Sequence, residues 1–508
     1  MTGTAAAGTR ARPDEAARTL PPPATRAVAG MAIAFVAVEL ACSARYGFHR
    51  DELYFLACAR HLAWGFVDQP PFVPAVAWLA THLLGTSPTS IRVLPAVVGG
   101  ATVVIGALIA RELGGRTRAQ VLAALATATS PQLFAMFHLL STAAFDAFLW
   151  AALTFLVLRA LRTDDDRLWV PIGALAGVAL LNKWTAAFLL AGLAAGLLLG
   201  GRRRLLTTRA FWAGAAIALV IWLPNLVWNA RHDWAELSMT QSLHDENSGL
   251  GASLQFIPSQ IVVVGPVLLL FWLAGLRDLL RSTFARPLGV TYLFLVACFT
   301  LTGGKSYYLA GMYCVLFGAG GVWAERRSER EGWPVRRWVA LMLVGALAAV
   351  PLSLPVLPEG SLAKGSWEGD INKDLSATVG WQGFVEQVAG VVSTLPRPER
   401  AHVVLLTGDY GAAGAIDLYG ARYDLPRARS GHNNYWFWGP GDAVDGATTI
   451  AINLPRDALV AQFGDVELAG TVATPHGVWT EERGAPIWIC RAQKRSWAAS
   501  WPALRHYG

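Results

Sequence analysis

Residues 46–71 read YGFHRDELYFLACARHLAWGFVDQPP and directly follow the first long apolar segment of the chain. Two adjacent carboxylates, Asp51 and Glu52, stand between the basic pair His49 and Arg50 and a run of aromatic residues. From Asp51 onward the apolar residues recur at a spacing typical of an amphipathic helix that lies along a membrane surface. Charged groups so close to a bilayer are costly unless they face water, a partner or a ligand. The stretch therefore predicts an interfacial segment that carries a functional site.

The composition of the chain is that of a membrane protein. Of its 508 residues, 54% are hydrophobic and only 15% are charged, and the mean hydropathy is +0.40. Soluble proteins carry roughly a quarter charged residues, so we predict a multi-pass α-helical membrane protein. The net charge of +7 arises from basic residues in short loops rather than on one soluble face, which argues against a nucleic-acid partner. The five cysteines show no metal-type spacing, so we expect no structural zinc.

Eleven apolar runs are long enough, or nearly long enough, to cross a bilayer. They fall at about 27–45, 91–110, 120–139, 145–161, 168–182, 184–200, 210–228, 256–276, 287–303, 307–324 and 338–357. A crossing helix needs roughly 20 residues, so the two short runs on either side of Asn182 and Lys183 predict a tight helical hairpin. We therefore expect about 11 transmembrane helices in residues 26–357, after a disordered cytoplasmic tail at residues 1–25.

Between these runs, residues 72–84 are also apolar, but their flanking prolines favour a second helix that lies on the surface or inserts half-way. Arginines gather in every second loop, and this bias predicts a cytoplasmic amino terminus with residues 46–71 and 358–508 on the outer face of the cytoplasmic membrane. Residues 358–508 have the composition of an α/β domain. Buried strands are predicted at 402–408, 448–454 and 486–492, and helices are predicted to begin near Gly411 and Pro455.

The polar residues predicted to face outside form a chemically coherent set. They are His49, Arg50, Asp51, Glu52, Asp68, Arg92, Asp146, Lys183, Asn225, Trp228, Asn229, Arg231, His232, Asp233, Lys305, Tyr307 and Tyr308. A carboxylate can remove a proton from a nucleophile, and arginine or lysine can neutralise a phosphate leaving group. Asp51 is the strongest candidate, because a solvated face does not explain its aromatic and basic neighbours.

Several of these residues also suit structural roles. Asp146 stands at the predicted start of a helix, where a carboxylate often stabilises the helix dipole. Arg92, Lys183 and Lys305 are placed where lone basic residues commonly snorkel to the membrane interface. The carboxylates of Glu52 and Asp68 could equally be surface groups that are simply exposed to water. Both sets of roles stay open at this point.

The ordered motifs of the chain carry a family resemblance. They read RDELYFLACARHLAWGFVDQPPF, SIRVLPAVVGG, STAAFDAFLW, GVALLNKWT, LPNLVWNARHDW, GKSYYLAGMY, TVGWQGFVEQVA, GDYGAAGAIDLYG, SGHNNYWFWGP and EERGAPIWICR. This series resembles the bacterial membrane glycosyltransferases of family 39, which are related to protein O-mannosyltransferases and to the aminoarabinose transferase that modifies lipid A. The resemblance covers nearly the whole chain from about residue 30.

The resemblance implies a GT-C fold with a C-terminal extracytoplasmic α/β domain, and it implies roles for individual residues. Asp51 would be the catalytic base, and Glu52 would complete an Asp-Glu pair. The residues implied to bind the donor phosphate are Arg92, Lys305, Lys183 and Tyr307. Further site candidates are His49, Arg50, Asp146, Asp68 and His232. Gln69 stands where many relatives have histidine, so we predict neither a metal site nor another cofactor.

The implied reaction is inverting transfer of a sugar from a polyprenyl-phosphate-sugar donor to a hydroxyl of a lipid, polysaccharide or protein acceptor. The sequence has no Gly-rich loop of the type that cradles nucleotide phosphates, which agrees with a lipid-linked donor. The C-terminal cluster at residues 432–436 is a candidate for acceptor selection, with a structural loop as the alternative. A polytopic transporter or lipid flippase is the first competing function, and a non-catalytic assembly subunit is the second.

Overall fold

The structure is a computed structural model that describes residues 20–247, 250–367 and 373–507. Most of the predicted disordered tail, residues 1–19, lies outside the described residues. The first part of the chain is helical. Its helices are α1 (Thr25–Cys42), α2 (Arg50–Arg60), α3 (Phe72–Leu84), α4 (Pro88–Glu112), α5 (Thr117–Ala128), α6 (Pro131–His138), α7 (Thr142–Thr163), α8 (Trp169–Asn182), α9 (Thr185–Leu199), α10 (Arg209–Arg231), α11 (Ala235–Asn247), α12 (Leu250–Val264), α13 (Leu269–Arg281), α14 (Arg286–Thr302), α15 (Ala310–Glu331) and α16 (Val335–Ser353).

All eleven apolar runs contain helix, but eleven crossings are not confirmed. Among the described residues, six helices are long and apolar enough to span a membrane, or up to eight if each of two bent pairs is one span. Helices α5 and α6 bend by 58° before Pro131, and α12 and α13 bend by 94° at Gly265 and Pro266. Proline cannot donate the backbone hydrogen bond that would continue a helix, which explains both breaks. The predicted break at Asn182 is confirmed, because α8 ends there.

The helices differ in how deeply they lie within the bundle. Helix α15 is its centre, with nearly every side chain between Ala310 and Val322 buried against α4, α5, α7 and α13. Helices α1, α10 and α16 are mostly exposed although they are strongly apolar. An apolar helix surface that no protein covers is expected to face lipid.

The C-terminal region contains the predicted α/β domain. Its helices and strands are α17 (Lys373–Ser376), α18 (Trp381–Thr394), α19 (Arg397–Arg400), β1 (Val404–Thr407), α20 (Tyr410–Tyr419), β2 (Ala428–Ser430), α21 (Asn434–Trp438), β3 (Thr449–Ile452), α22 (Arg456–Gln462), β4 (Phe463–Thr471), β5 (Pro486–Gln493) and α23 (Trp497–Ser500). The sheet order is β2-β1-β3-β5-β4; β1 pairs in parallel with β2 and β3, and β5 is antiparallel to β3 and β4.

The three predicted strands and both predicted helix starts in this domain are confirmed. Strands β2 and β4 were not predicted. Strand β2 has only three residues, and β4 lies at the sheet edge with most of its residues exposed, so neither shows the continuous apolar run of a buried strand.

Helix α2 corrects the expectation of a half-exposed surface helix. Every residue from Glu52 to Ala59 is buried, because α3 covers one side of α2 and α20 of the C-terminal domain packs on another. The close approach depends on Gly414 of α20, where an added Cβ would lie 2.9 Å from the carbonyl group of Leu53. The segment Glu52–Ala59 is therefore enclosed between the bundle and the C-terminal domain.

Candidate active site

The first turn of α2 holds its polar residues in a fixed arrangement. His49 is the N-cap, and its Nδ1 accepts a hydrogen bond from the Asp51 backbone N–H at 3.1 Å. The Glu52 carboxylate closes the capping box by accepting from the His49 backbone N–H at 2.8 Å. Asp51 thus lies at a helix N-terminus, where a negative charge is favoured.

Of the two adjacent carboxylates in this turn, Asp51 is the reachable one, since its side chain is 41% exposed whereas Glu52 is 0% exposed. Its Oδ1 accepts a hydrogen bond from the hydroxyl of Tyr410, the first residue of α20, at 2.8 Å. Partial enclosure by the surrounding protein would by itself raise the pKa of the Asp51 carboxyl. His49, Arg50, the Tyr410 hydrogen bond and Lys305 together nevertheless hold that pKa below its usual value. The group is therefore an ionised carboxylate at neutral pH.

Asp51 opens into a cavity of about 300 Å³ between the bundle and the C-terminal domain. The first loop and the C-terminal domain contribute its polar lining, which consists of His49, Arg50, Asp51, Lys373, Asp374, Tyr410, Trp479, Thr480, Glu481 and Glu482. Arg50 forms an ion pair with Glu481, and its guanidinium lies 4.8 Å from the centre of the Tyr410 ring. Both contacts tie the first loop to the C-terminal domain at the edge of the cavity.

A second group of predicted residues lies near Asp51. Lys305 is exposed at the start of the short turn Ser306–Leu309, and its charge acts on the carboxylate of Asp51. Tyr307 is electrostatically coupled to both residues, and its ring lies 5.2 Å from Lys183 Nζ.

Lys183 also interacts electrostatically with Asp146, whose Oδ2 accepts a hydrogen bond from Thr185 Oγ1 at 3.0 Å. Asp146 is not the N-cap of α7, because Ser141 has that role and Asp146 lies more than one turn inside the helix. The structure thus groups Lys305, Tyr307, Lys183 and Asp146 at the end of the bundle that carries Asp51.

Arg92 and Glu52 occupy a different place from the one predicted. Arg92 is 1% exposed and Glu52 is 0% exposed. Arg92 donates from Nε to Glu52 Oε1 at 2.9 Å, from Nη2 to Glu52 Oε2 at 2.6 Å, and to the carbonyl oxygens of Ser43 and Gly47. Glu52 also accepts from the Leu140 backbone N–H at 2.9 Å. A guanidinium with its donors engaged in this way has a structural role here, so the assignment of Arg92 as a phosphate ligand needs correction.

Asp68 and His232 also lie outside the cavity. Asp68 accepts a hydrogen bond from the Tyr54 hydroxyl at 3.0 Å, and burial raises the pKa of Asp68 to about 7. His232 stacks on Trp228 at 4.1 Å and packs against Phe437 of the C-terminal domain. These contacts give His232 a packing role at the junction between the bundle and the domain.

Residues 432–436 also make contacts that hold the structure together. The Asn434 side-chain oxygen accepts from the Val67 backbone N–H at 2.6 Å, and the Asn434 backbone N–H donates to the Tyr54 hydroxyl oxygen at 3.3 Å. The cluster therefore anchors the end of the first loop to the C-terminal domain.

Nothing in the sequence indicated the residues that the C-terminal domain brings to the cavity. Tyr410 was part of the quoted block GDYGAAGAIDLYG, and Glu481 and Glu482 were part of EERGAPIWICR, but no role was assigned to them. Burial and the charge of Asp409 raise the pKa of Glu482 to about 7, against the opposing charge of Arg50. Since these residues follow Asp51 by more than 350 positions, no local pattern relates them to it. Among the described residues, no group of three or more His, Cys, Asp or Glu side chains is arranged to hold a metal ion.

The chain is similar to known glycosyltransferases in sequence and in fold. Residues 68–228 match the family model described as dolichyl-phosphate-mannose-protein mannosyltransferase. The crystal structure of ArnT from Cupriavidus metallidurans bound to undecaprenyl phosphate aligns with a TM-score of 0.58 and 16% identity, over 91% of this chain and 98% of that one. The chain has the GT-C fold. Arabinofuranosyltransferase AftD from Mycobacteria also shares this GT-C architecture, with a TM-score of 0.50 and 16% identity, over 94% of this chain and 41% of that one.

Lipid A galacturonosyltransferase RgtD of Rhizobium johnstonii is 27% identical over 240 residues, which are 46% of this chain. The match spans 50% of the length of RgtD. The resemblance to membrane glycosyltransferases that the sequence indicated is confirmed by the family model and by this relative. The structural likeness, at 16% identity, establishes the GT-C fold alone.

Proposed function

We propose that this chain transfers a glycosyl residue from a polyprenyl-phosphate-linked sugar to an acceptor hydroxyl, with inversion, at the outer face of the cytoplasmic membrane. The observation that carries the proposal is Asp51, an accessible carboxylate held ionised beside a cavity of about 300 Å³. Support comes from the GT-C fold shared with a protein that binds undecaprenyl phosphate, and from the match to a transferase named for lipid A.

The chemistry follows from the position of Asp51. The acceptor hydroxyl enters beside the carboxylate, which takes the hydroxyl proton while the oxygen forms a bond to the anomeric carbon. The bond from that carbon to the phosphate oxygen breaks on the opposite side, and its electron pair leaves with the polyprenyl phosphate. Attack and departure on opposite faces invert the anomeric centre.

Lys305 is the cation proposed to stabilise the leaving phosphate, with Lys183 and Tyr307 beside it. The buried pair of Glu52 and Arg92 acts indirectly in this scheme. Glu52 fixes the first turn of α2 through His49, and Arg92 compensates the charge of Glu52. Both are positioning residues for the neighbouring Asp51.

The test is Asp51→Asn in the purified full-length chain, reconstituted in lipid nanodiscs with a panel of undecaprenyl-phosphate-linked sugars and candidate acceptors. Loss of the general base should lower the release of undecaprenyl phosphate by about 10²–10⁴-fold while folding is retained. The matched control is Asp457→Asn, which makes the same change at an exposed site in α22 and should leave turnover intact.

Full activity of Asp51→Asn would refute the assignment of the base, and turnover of nucleotide-sugars by the parent would refute the donor class. Lipid transport by Asp51→Asn, together with no sugar transfer by the parent, would favour the transporter.

A further inference from the structure

Two residues that line the cavity beside Asp51 each carry a buried polar atom that the proposed proton transfer does not use. Glu482 is 5% exposed, and its Oε1 has no hydrogen-bond partner among the described residues. Arg50 Nε is also buried without a partner in that part of the chain. Both residues line the cavity, and their charges interact.

A buried donor or acceptor without a hydrogen-bond partner destabilises the fold, so such atoms commonly mark a place where a ligand supplies the missing partner. The two atoms differ in what they require. The ionised form of Glu482, one of the two forms populated near its pKa of about 7, can only accept a hydrogen bond, whereas Arg50 Nε can only donate one. Hydroxyl groups suit both kinds of atom, because a hydroxyl can donate its proton to a carboxylate and can accept a hydrogen bond from a guanidinium.

Trp479 gives the same cavity an aromatic wall. Its side chain is partly exposed and lines the cavity next to Glu481 and Glu482, and Lys373 Nζ lies 5.1 Å from the centre of its ring. The C–H face of a sugar ring packs well against an indole surface, while the hydroxyls at the ring edge remain free for polar contacts. A volume of about 300 Å³ is at the small end of ligand pockets and fits a single sugar unit better than a long chain.

We propose that Glu482, Arg50 and Trp479 form an acceptor subsite that binds the sugar ring of a saccharide acceptor and presents one of its hydroxyls to Asp51. The inference rests on the proposed function for the identity of the bound molecule as acceptor, and it makes the C-terminal domain the part of the chain that selects it. A hydroxyl of a serine or threonine side chain could meet Asp51 but has neither a ring for Trp479 nor neighbouring hydroxyls for Glu482.

The experiment measures binding without any donor, so failure of the transfer reaction does not affect its outcome. The full-length chain in nanodiscs is titrated with methyl glucoside, methyl galactoside and methyl mannoside, and with N-acetylserine amide as the peptide-type hydroxyl. Saturation-transfer NMR reports the bound ligand and its dissociation constant.

At least one glycoside should bind more tightly than N-acetylserine amide. Glu482→Gln and Trp479→Ala should each weaken that binding by about 10-fold or more, as expected for losing a hydrogen bond to a charged group or a stacking surface. The matched controls are Glu467→Gln on the exposed face of β4 and Trp212→Ala on α10, both of which should bind as the parent does.

Three results would overturn the subsite. These are no glycoside binding by the parent, equal binding by Glu482→Gln and its control, or preference for N-acetylserine amide over every glycoside. The last result would point to a protein acceptor instead.

Discussion

Replacing Glu52 with alanine should lower the stability of the bundle, because Glu52 holds the fold together and has no direct part in the proposed transfer reaction. The carboxylate accepts four hydrogen bonds at 2.6–2.9 Å: two from Arg92 and one each from the backbone N–H groups of His49 and Leu140. Removing it leaves the guanidinium of Arg92, which is 1% exposed, as an uncompensated buried charge. Breaking a buried ion pair in this way costs about 3–5 kcal/mol.

The assay is unfolding of the purified chain in mixed micelles titrated with SDS, for Glu52→Ala, Arg92→Ala and the double variant. Each single variant should lose about 3–5 kcal/mol, and the double variant should lose clearly less than the sum, because no lone charge remains buried. Arg118→Ala, at an exposed site in α5, is the control and should change stability little.

The reasoning is refuted if Arg92→Ala unfolds as the parent does and loses only its affinity for undecaprenyl phosphate. That result would restore Arg92 to the donor-binding role implied by the sequence. Additive losses in the double variant would also contradict the paired arrangement.

Three further predictions concern the cavity and its walls. Tyr410→Phe removes a hydrogen bond to the ionised form of Asp51, so the pKa of that carboxyl should rise. We expect kcat/KM to fall about 10-fold and the acid limb of its pH profile to move to higher pH. An unchanged acid limb would show that Tyr410 does not influence the ionisation of Asp51. Lys305→Met should weaken the binding of undecaprenyl phosphate about 10-fold and reduce the salt dependence of that binding, as measured by titration at two ionic strengths. Equal affinity of the variant and the parent would show that Lys305 is not part of the donor site. Gly414→Ala should lower the thermal stability and the activity together because its Cβ would collide with α2, whereas Gly390→Ala, which has open space around it, should affect neither.

Much of the architecture was predictable because it depends on local composition. Apolar runs must form helices in a bilayer, since every backbone polar group needs a partner within the segment, and the structure has helix in each of them. The buried strands β1, β3 and β5 were predictable for a similar reason, because a continuous apolar run bounded by turns is typical of a strand covered on both faces. Asp51 was singled out as the proposed base from its immediate neighbours in the sequence.

The number of crossings was less predictable, because hydropathy records length but not bending. The breaks before Pro131 and at Gly265 turn two apparent spans into angled pairs. Packing against neighbouring helices determines whether such a pair crosses once or re-enters, and a one-dimensional pattern has no information about that packing.

The sequence by itself determined the membrane class and the C-terminal α/β domain and singled out Asp51 as the proposed base, because each depends on residues close together in the chain. Only the tertiary structure decided that Arg92 neutralises Glu52 rather than facing the cavity, since both side chains are polar and the sequence assigns them no distance. It also decided that Tyr410 holds Asp51 and that Glu482 and Trp479 complete the cavity wall. These contacts form because α20 packs on α2 through a glycine, and close packing between residues so far apart in the chain leaves no periodic signal in either segment.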